Sequence, residues 1–169
     1  SNPWFPVDLK NLGAKLEFSD VTPGTCFEVG PARISTCPMN HPGGAMAIRV
    51  DHRGHAFVQA SDTEHVGTQA DPELSKLAQG ADFLSYDSTY VEGPEYEEHK
   101  GWGHSTWSAG LRVAEAANVG RFIAFHHDPS HDDTFMDGIA RDMEAVRPGS
   151  LVAKEGMLLD LLSGEVGTE

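Results

Sequence analysis

"RFIAFHHDPSHDD" (residues 121–133) decides how this chain is read. Its first five residues are almost continuously apolar, the pattern of a strand covered on both faces. The strand then runs out into three histidines and three aspartates within residues 125–133. In layered α/β sheets, chemistry gathers where strands end and loops begin. A buried strand that ends in metal- and proton-binding groups therefore predicts both a layered sheet and a site at its edge.

The surroundings agree with such a sheet. Upstream, "ADPELSKLAQG" (70–80) has Asp71 as N-cap, Pro72 at the first helical position and Gly80 as a stop. "ADFLSYD" (81–87) follows as a short buried strand. A helix starts at Ser105 or Thr106, with Trp107, Leu111 and Ala114 on one face and Gly120 as terminator. Downstream, "DDTFMDGIARDMEAV" (132–146) places Phe135, Ile139 and Met143 at spacing four, and "LVAKEGMLLDLL" (151–162) reads as one or two strands. The first third is strand-like: "AKLEFSDV" (14–21), "TCFEV" (25–29), "ARISTCPMN" (32–40), then a hairpin of 45–51 and 55–62 turning at Gly54. Strands first and alternating helix and strand afterwards predict an α/β fold with a mixed sheet and flanking helices. At 169 residues the chain makes one domain, 1–169.

Charge narrows the function classes. Twelve basic against 26 acidic residues give a formal charge of -14, which excludes a broad basic surface for nucleic acid. Some of those carboxylates could serve a cation. No apolar run reaches the length of a membrane span, and "SNPWFPVDLK" has no apolar secretory segment. Cys26 and Cys37 lack a CxxC spacing, so both are expected as free thiols in a reducing, cytoplasmic compartment.

Four loops carry chemistry-bearing residues at strand ends: "MNHPGGAM" with His41, "ASDTEH" with Asp62 and His65, "KGWGHST" with His104, and the opening stretch with His126 or His127. Strand alternation leaves that last pair open, because a doubly covered strand gives no polar face. Each residue alone has a structural explanation, such as Ser105 as a helix cap or Asp128, Asp132 and Asp133 at the positive end of a helix. Together, imidazoles and a carboxylate are the donor set for zinc and harder divalent ions in hydrolases.

In the motifs "NHPGG", "SDTEH", "GWGHST" and "FHHDPSHDD", in this order and spacing, the sequence resembles the metallo-β-lactamase superfamily, near ribonuclease Z and related phosphodiesterases. The resemblance extends from "PWFPVDLKNLGAKLEF" to "AKEGMLLDL" and is specific for the superfamily, much less so for substrate. It implies an αββα sandwich with two metal ions, zinc or alternatively manganese, and a bridging hydroxide as nucleophile. It also implies residue roles. His41, Asp62 and His126 match metal ligands, with Asp62 as the carboxylate shared between the ions. Asp62 and His104 belong to the catalytic set, His104 as a non-ligand histidine beside the scissile phosphate. His65, Asp128 and His131 are expected to orient the ligand imidazoles.

One departure is large: the family string HxHxDH is absent. "VDHRGH" (50–55) has the wrong spacing, follows His41 instead of preceding it, and reads as a turn. The resemblance therefore implies that the chain is the C-terminal portion of the family's domain, which agrees with its start at Ser1. Such a portion is expected to pair with a missing N-terminal half or to form a homo-oligomer, since it exposes sheet surface. Two function classes follow: a metal-dependent hydrolase of the phosphodiesterase type, or a non-catalytic module with a regulatory or assembly role. Ribonuclease Z grips transfer RNA with a basic flexible arm, and the nearest counterpart, "TYVEGPEYEEHKGWG" (89–103), is acidic. A small phosphodiester is thus the expected partner over RNA.

Overall fold

A computed structural model describes residues 11 and 13–168. Seven strands form one mixed sheet in strict chain order: β1 (Cys26–Val29), β2 (Ala32–Met39), β3 (Ala45–His52), β4 (His55–Ala60), β5 (Phe83–Asp87), β6 (Arg121–Phe125) and β7 (Leu151–Val152). The first four pair antiparallel and β4 to β7 pair parallel. This matches the expected change from hairpins to βαβ units. The hairpin of β3 and β4 turns at Arg53 and Gly54, both at positive φ (51° and 84°), and pairs His52 with His55. "VDHRGH" is a turn, remote from the site described below.

Helices α1 (Pro72–Ala78), α3 (Trp107–Ala116) and α4 (Asp133–Val146) share one core with a single face of the sheet, and the short α2 (Pro94–Glu98) lies between β5 and α3. The sheet contributes Val58, Leu84 and Phe122 to that core, and the helices contribute Leu74, Val113 and Met143. Gly110 sets how closely α3 approaches. A Cβ there would lie 2.5 Å from Tyr86 Cδ1 and 2.6 Å from Phe122 Cε2, so no larger residue fits without shifting the helix. The opposite face carries an apolar row through paired positions Phe27, Ile34, Val50, Phe57 and Phe83. No helix among the described residues is long and apolar enough to cross a membrane.

Caps follow the sequence where side chains dictate them. Asp71 accepts from Leu74 N (2.8 Å), Thr106 from Ala109 N and Asp132 from Phe135 N (2.8 Å). Three expectations need correction. Residues 14–21 form no strand: they are exposed, Phe18 at 82%, and no neighbouring strand takes up their backbone. α3 ends before Asn118, whose φ of 49° breaks the helix, and Gly120 instead admits the Asp82 carbonyl, 2.7 Å from where a Cβ would sit. Phe135 is 41% exposed, while Met136, Ile139 and Met143 face the core. A period of 3.6 places 136 on the buried stripe and 135 beside it. The closing residues 151–162 hold two short strands, as expected, β7 and β8 (Met157–Leu159); β8 pairs with β9 (Val166–Thr168) in a separate hairpin.

Candidate metal and catalytic site

Topology alone brings the four loops together. Since β2 and β4 each pair antiparallel with β3, they run in the same direction, and β5 and β6 run parallel to β4. The C-terminal ends of β2, β4, β5 and β6 therefore meet at one sheet edge; His41, Asp62 and His126 follow β2, β4 and β6, and Asp87 is the last residue of β5. Asn40 fastens two of these loops: Glu64 N donates to its carbonyl (2.8 Å) and its Nδ2 donates to Glu64 O (2.9 Å).

Two overlapping groups of three result, each with ligand atoms within 4.8 Å of one another: His41, Asp62 and His104, and Asp87, His104 and His126. Asp62 and His126 both adopt φ of 60°, a left-handed conformation that costs a non-glycine residue energy and concentrates at functional sites. His126 Nε2 stands 3.7 Å from Asp62 Oδ1. That is too long for a hydrogen bond, but two ligands about 2.0–2.1 Å from one tetrahedral ion stand about 3.3 Å apart.

The tautomers are consistent with this use. Thr89 Oγ1 lies 3.1 Å from His126 Nδ1, so a proton on Nδ1 donates to the hydroxyl and leaves the Nε2 lone pair on the Asp62 side. His41 differs: Gly43 N donates to its Nδ1 at 3.1 Å. An ion would take that lone pair from Gly43, or bind Nε2 after the ring proton moves. With these provisions both groups offer donors that fit a divalent metal ion; His41, Asp62 and His126 share one sheet edge but do not form a group by themselves, since each group among the described residues includes His104. Of the two adjacent histidines, His126 joins the cluster. His127 has both ring nitrogens buried without a hydrogen-bond partner among the described residues, and it faces a cavity with Val152 and Ala153.

The residue missed in the sequence is Asp87. Fully buried, its carboxylate accepts from Thr63 N and Ser105 N (3.2 Å each), Thr89 N (3.2 Å) and Thr89 Oγ1 (2.8 Å), and pairs with His104 Nδ1 at 2.9 Å. Thus one carboxylate ties the Asp62 and His104 loops to the end of β5 and fixes the His104 proton on Nδ1. His104 Nε2 has no hydrogen-bond partner among the described residues, and its ring stacks on His126 at 4.9 Å. The signal was available, since "FLSYD" ends an apolar run on a carboxylate as the other loops end on their ligands.

The expected orienting roles of His65, Asp128 and His131 are corrected by their partners. His65 Nδ1 meets Ser105 Oγ (2.8 Å), which also meets the buried Tyr86 hydroxyl (3.0 Å), and burial lowers the His65 pKa. Asp128 accepts from Ser130 N (2.7 Å), and His131 Nε2 pairs with Glu95 (2.6 Å). Among the described residues none of the three hydrogen-bonds a candidate ligand imidazole. Both cysteines are free, Cys26 exposed and Cys37 buried.

The pattern of the beta-lactamase superfamily domain matches residues 2–127, so the chain belongs to the metallo-β-lactamase superfamily. Ribonuclease Z of Prochlorococcus marinus (strain NATL1A) is 31% identical over 111 residues, 64% of this chain and 33% of that protein, which places the likeness on the ribonuclease Z branch. Among solved structures, the metallo-β-lactamase fold protein YhfI from Bacillus subtilis superposes with a TM-score of 0.67 at 20% identity, over 87% of this chain and 54% of that one. Zn(2+)-bound PqqB from Methylobacterium extorquens gives 0.64 at 14% identity, over 83% and 55%. The chain spans about a third of the length of the curated relatives it matches.

Proposed function

We propose that this chain carries the site of a metal-dependent hydrolase acting on phosphodiesters. The observation that carries the reading is the pair of Asp87 and His104 beside two candidate metal ligands. A proton-transferring imidazole, held in one tautomer by a buried carboxylate, stands against the groups that would hold the ions. His41, Asp62 and His126 would hold zinc, the ion of the PqqB neighbour, with manganese as the alternative. A pair of ions would supply an activated water as hydroxide and neutralise phosphate charge.

The chain's own residues account for the remaining work. Asp87 keeps the His104 Nδ1 proton in place and stabilises the imidazolium form. His104 Nε2 then gives its proton to the departing alkoxide oxygen, as a general acid must to avoid expelling a strong base. The net charge of -14 and the acidic helix α2 favour a small substrate over a long polyanion.

The test is hydrolysis of thymidine 5′-p-nitrophenyl phosphate alongside a β-lactam and a lactone. The expected result is turnover of the phosphodiester alone, abolished by chelator and restored by zinc or manganese. Chelator-insensitive turnover, or turnover of the β-lactam or lactone in its place, would overturn the reading. No turnover of any of the three would favour the non-catalytic module.

A further inference from the structure

Trp102 belongs to none of the roles above, yet its setting is unusually well defined. It is 62% exposed, in the loop just before His104. An exposed indole contributes little to a core, and a loop tip is ordinarily free to move. This one is pinned on both sides. The Glu64 carboxylate accepts from Gly101 N at 2.9 Å and Gly103 N at 3.0 Å, and Trp102 N donates to His99 O at 3.1 Å.

Glu64 is in turn bonded to Asn40, so the loop that presents Trp102 is fastened to the loops that carry His41 and Asp62. Gly103 seats directly on the site: a Cβ there would lie 2.4 Å from His41 Cδ2 and 2.6 Å from the Pro42 ring. Glycine is therefore required beside Trp102 to bring the indole this close. The Trp102 and His99 rings meet perpendicular to each other (4.8 Å, 88°), His99 stacks on Tyr90 (4.4 Å, 15°), and Tyr90 meets His104 near-perpendicular at 6.2 Å. A continuous train of rings thus runs from His104 to a largely exposed indole.

We infer that Trp102 is a stacking platform for a nucleobase, so that the substrate is a nucleoside phosphodiester, its phosphate at the His41, Asp62 and His126 cluster and its base on the indole. The inference rests on the phosphodiesterase reading for the position of the phosphate. An exposed aromatic on a pinned loop suits this use because stacking needs a π face and little else, and little backbone ordering remains to oppose it.

Binding of adenosine 5′-monophosphate and of ribose 5-phosphate to the zinc-supplemented chain, by titration calorimetry, tests it without any need for turnover. Trp102→Ala is expected to weaken the nucleotide about tenfold, within the range for one stacked base, and to leave ribose 5-phosphate unchanged. Trp102→Phe is expected to recover most of the loss. Equal affinity of wild type and Trp102→Ala for the nucleotide, an equal loss for ribose 5-phosphate, or no binding of the nucleotide to wild type would overturn the inference. The expected binding pattern without hydrolysis of any phosphodiester would sink the enzymatic reading alone. Hydrolysis with nucleotide binding insensitive to Trp102 would sink the stacking role alone.

Discussion

Replacing His104 with alanine is expected to lower turnover of a phosphodiester with an alkoxide leaving group about a thousandfold, and of a p-nitrophenyl ester far less, while the metal content stays at the wild-type level. The magnitude is that of a positioned general acid. Its direction follows from the hydrogen bonds: Asp87 occupies Nδ1, and Nε2, beside His126, has no hydrogen-bond partner among the described residues. His104 nevertheless appears in both ligand-distance groups, and a carboxylate-bound imidazole also suits a metal ligand. Measuring metal and turnover on the same preparations separates the two roles. Loss of metal together with activity would make His104 a ligand and remove the proton carrier from the mechanism.

Asp87→Asn should have the largest effect on stability. The substitution keeps the shape but turns amide hydrogens toward groups that all donate: Thr63 N, Thr89 N, Ser105 N and His104 Nδ1. Removing one partner from a buried, hydrogen-bonded charge costs about 3–5 kcal/mol, measurable as a lower denaturation midpoint in urea. Turnover should fall as well, because His104 loses both its tautomer lock and the charge that stabilises its protonated form. Stability within about 0.5 kcal/mol of wild type, below the usual cost of a lost buried hydrogen bond, would show that Asp87 does not organise the site.

The sequence disclosed local structure best where one side chain decides the outcome. Asp71 with Pro72 starts α1, Thr106 starts α3, and Arg53–Gly54 closes the hairpin, each through a bond or a dihedral set within a few residues. Elements that depend on distant partners were less legible. Residues 14–21 alternate like a strand, but a strand exists only where a neighbour takes its hydrogen bonds. Phe135 matched a helical spacing although the stripe buried by the sheet begins one residue later.

The same division holds at the site. Loops loaded with histidine and aspartate at strand ends could be picked out, because strand direction alone collects them at one edge. What each side chain touches could not be read along the chain. Asp87 looked like an ordinary strand end until Thr63, Thr89, Ser105 and His104 converged on it from three separate loops. His65 and His131 looked like supports for ligands until Ser105 and Glu95 proved to be their partners.

Metal content per chain tests the central claim most directly, by elemental analysis of protein purified without chelator and then equilibrated with zinc. Wild type, Asp62→Ala and His126→Ala would be compared, with circular dichroism confirming that all three are folded. The expected result is zinc retained by wild type and lost from both variants. Equal zinc in all three, or none in wild type, would contradict the assignment of His41, Asp62 and His126 as the metal-binding edge of the sheet.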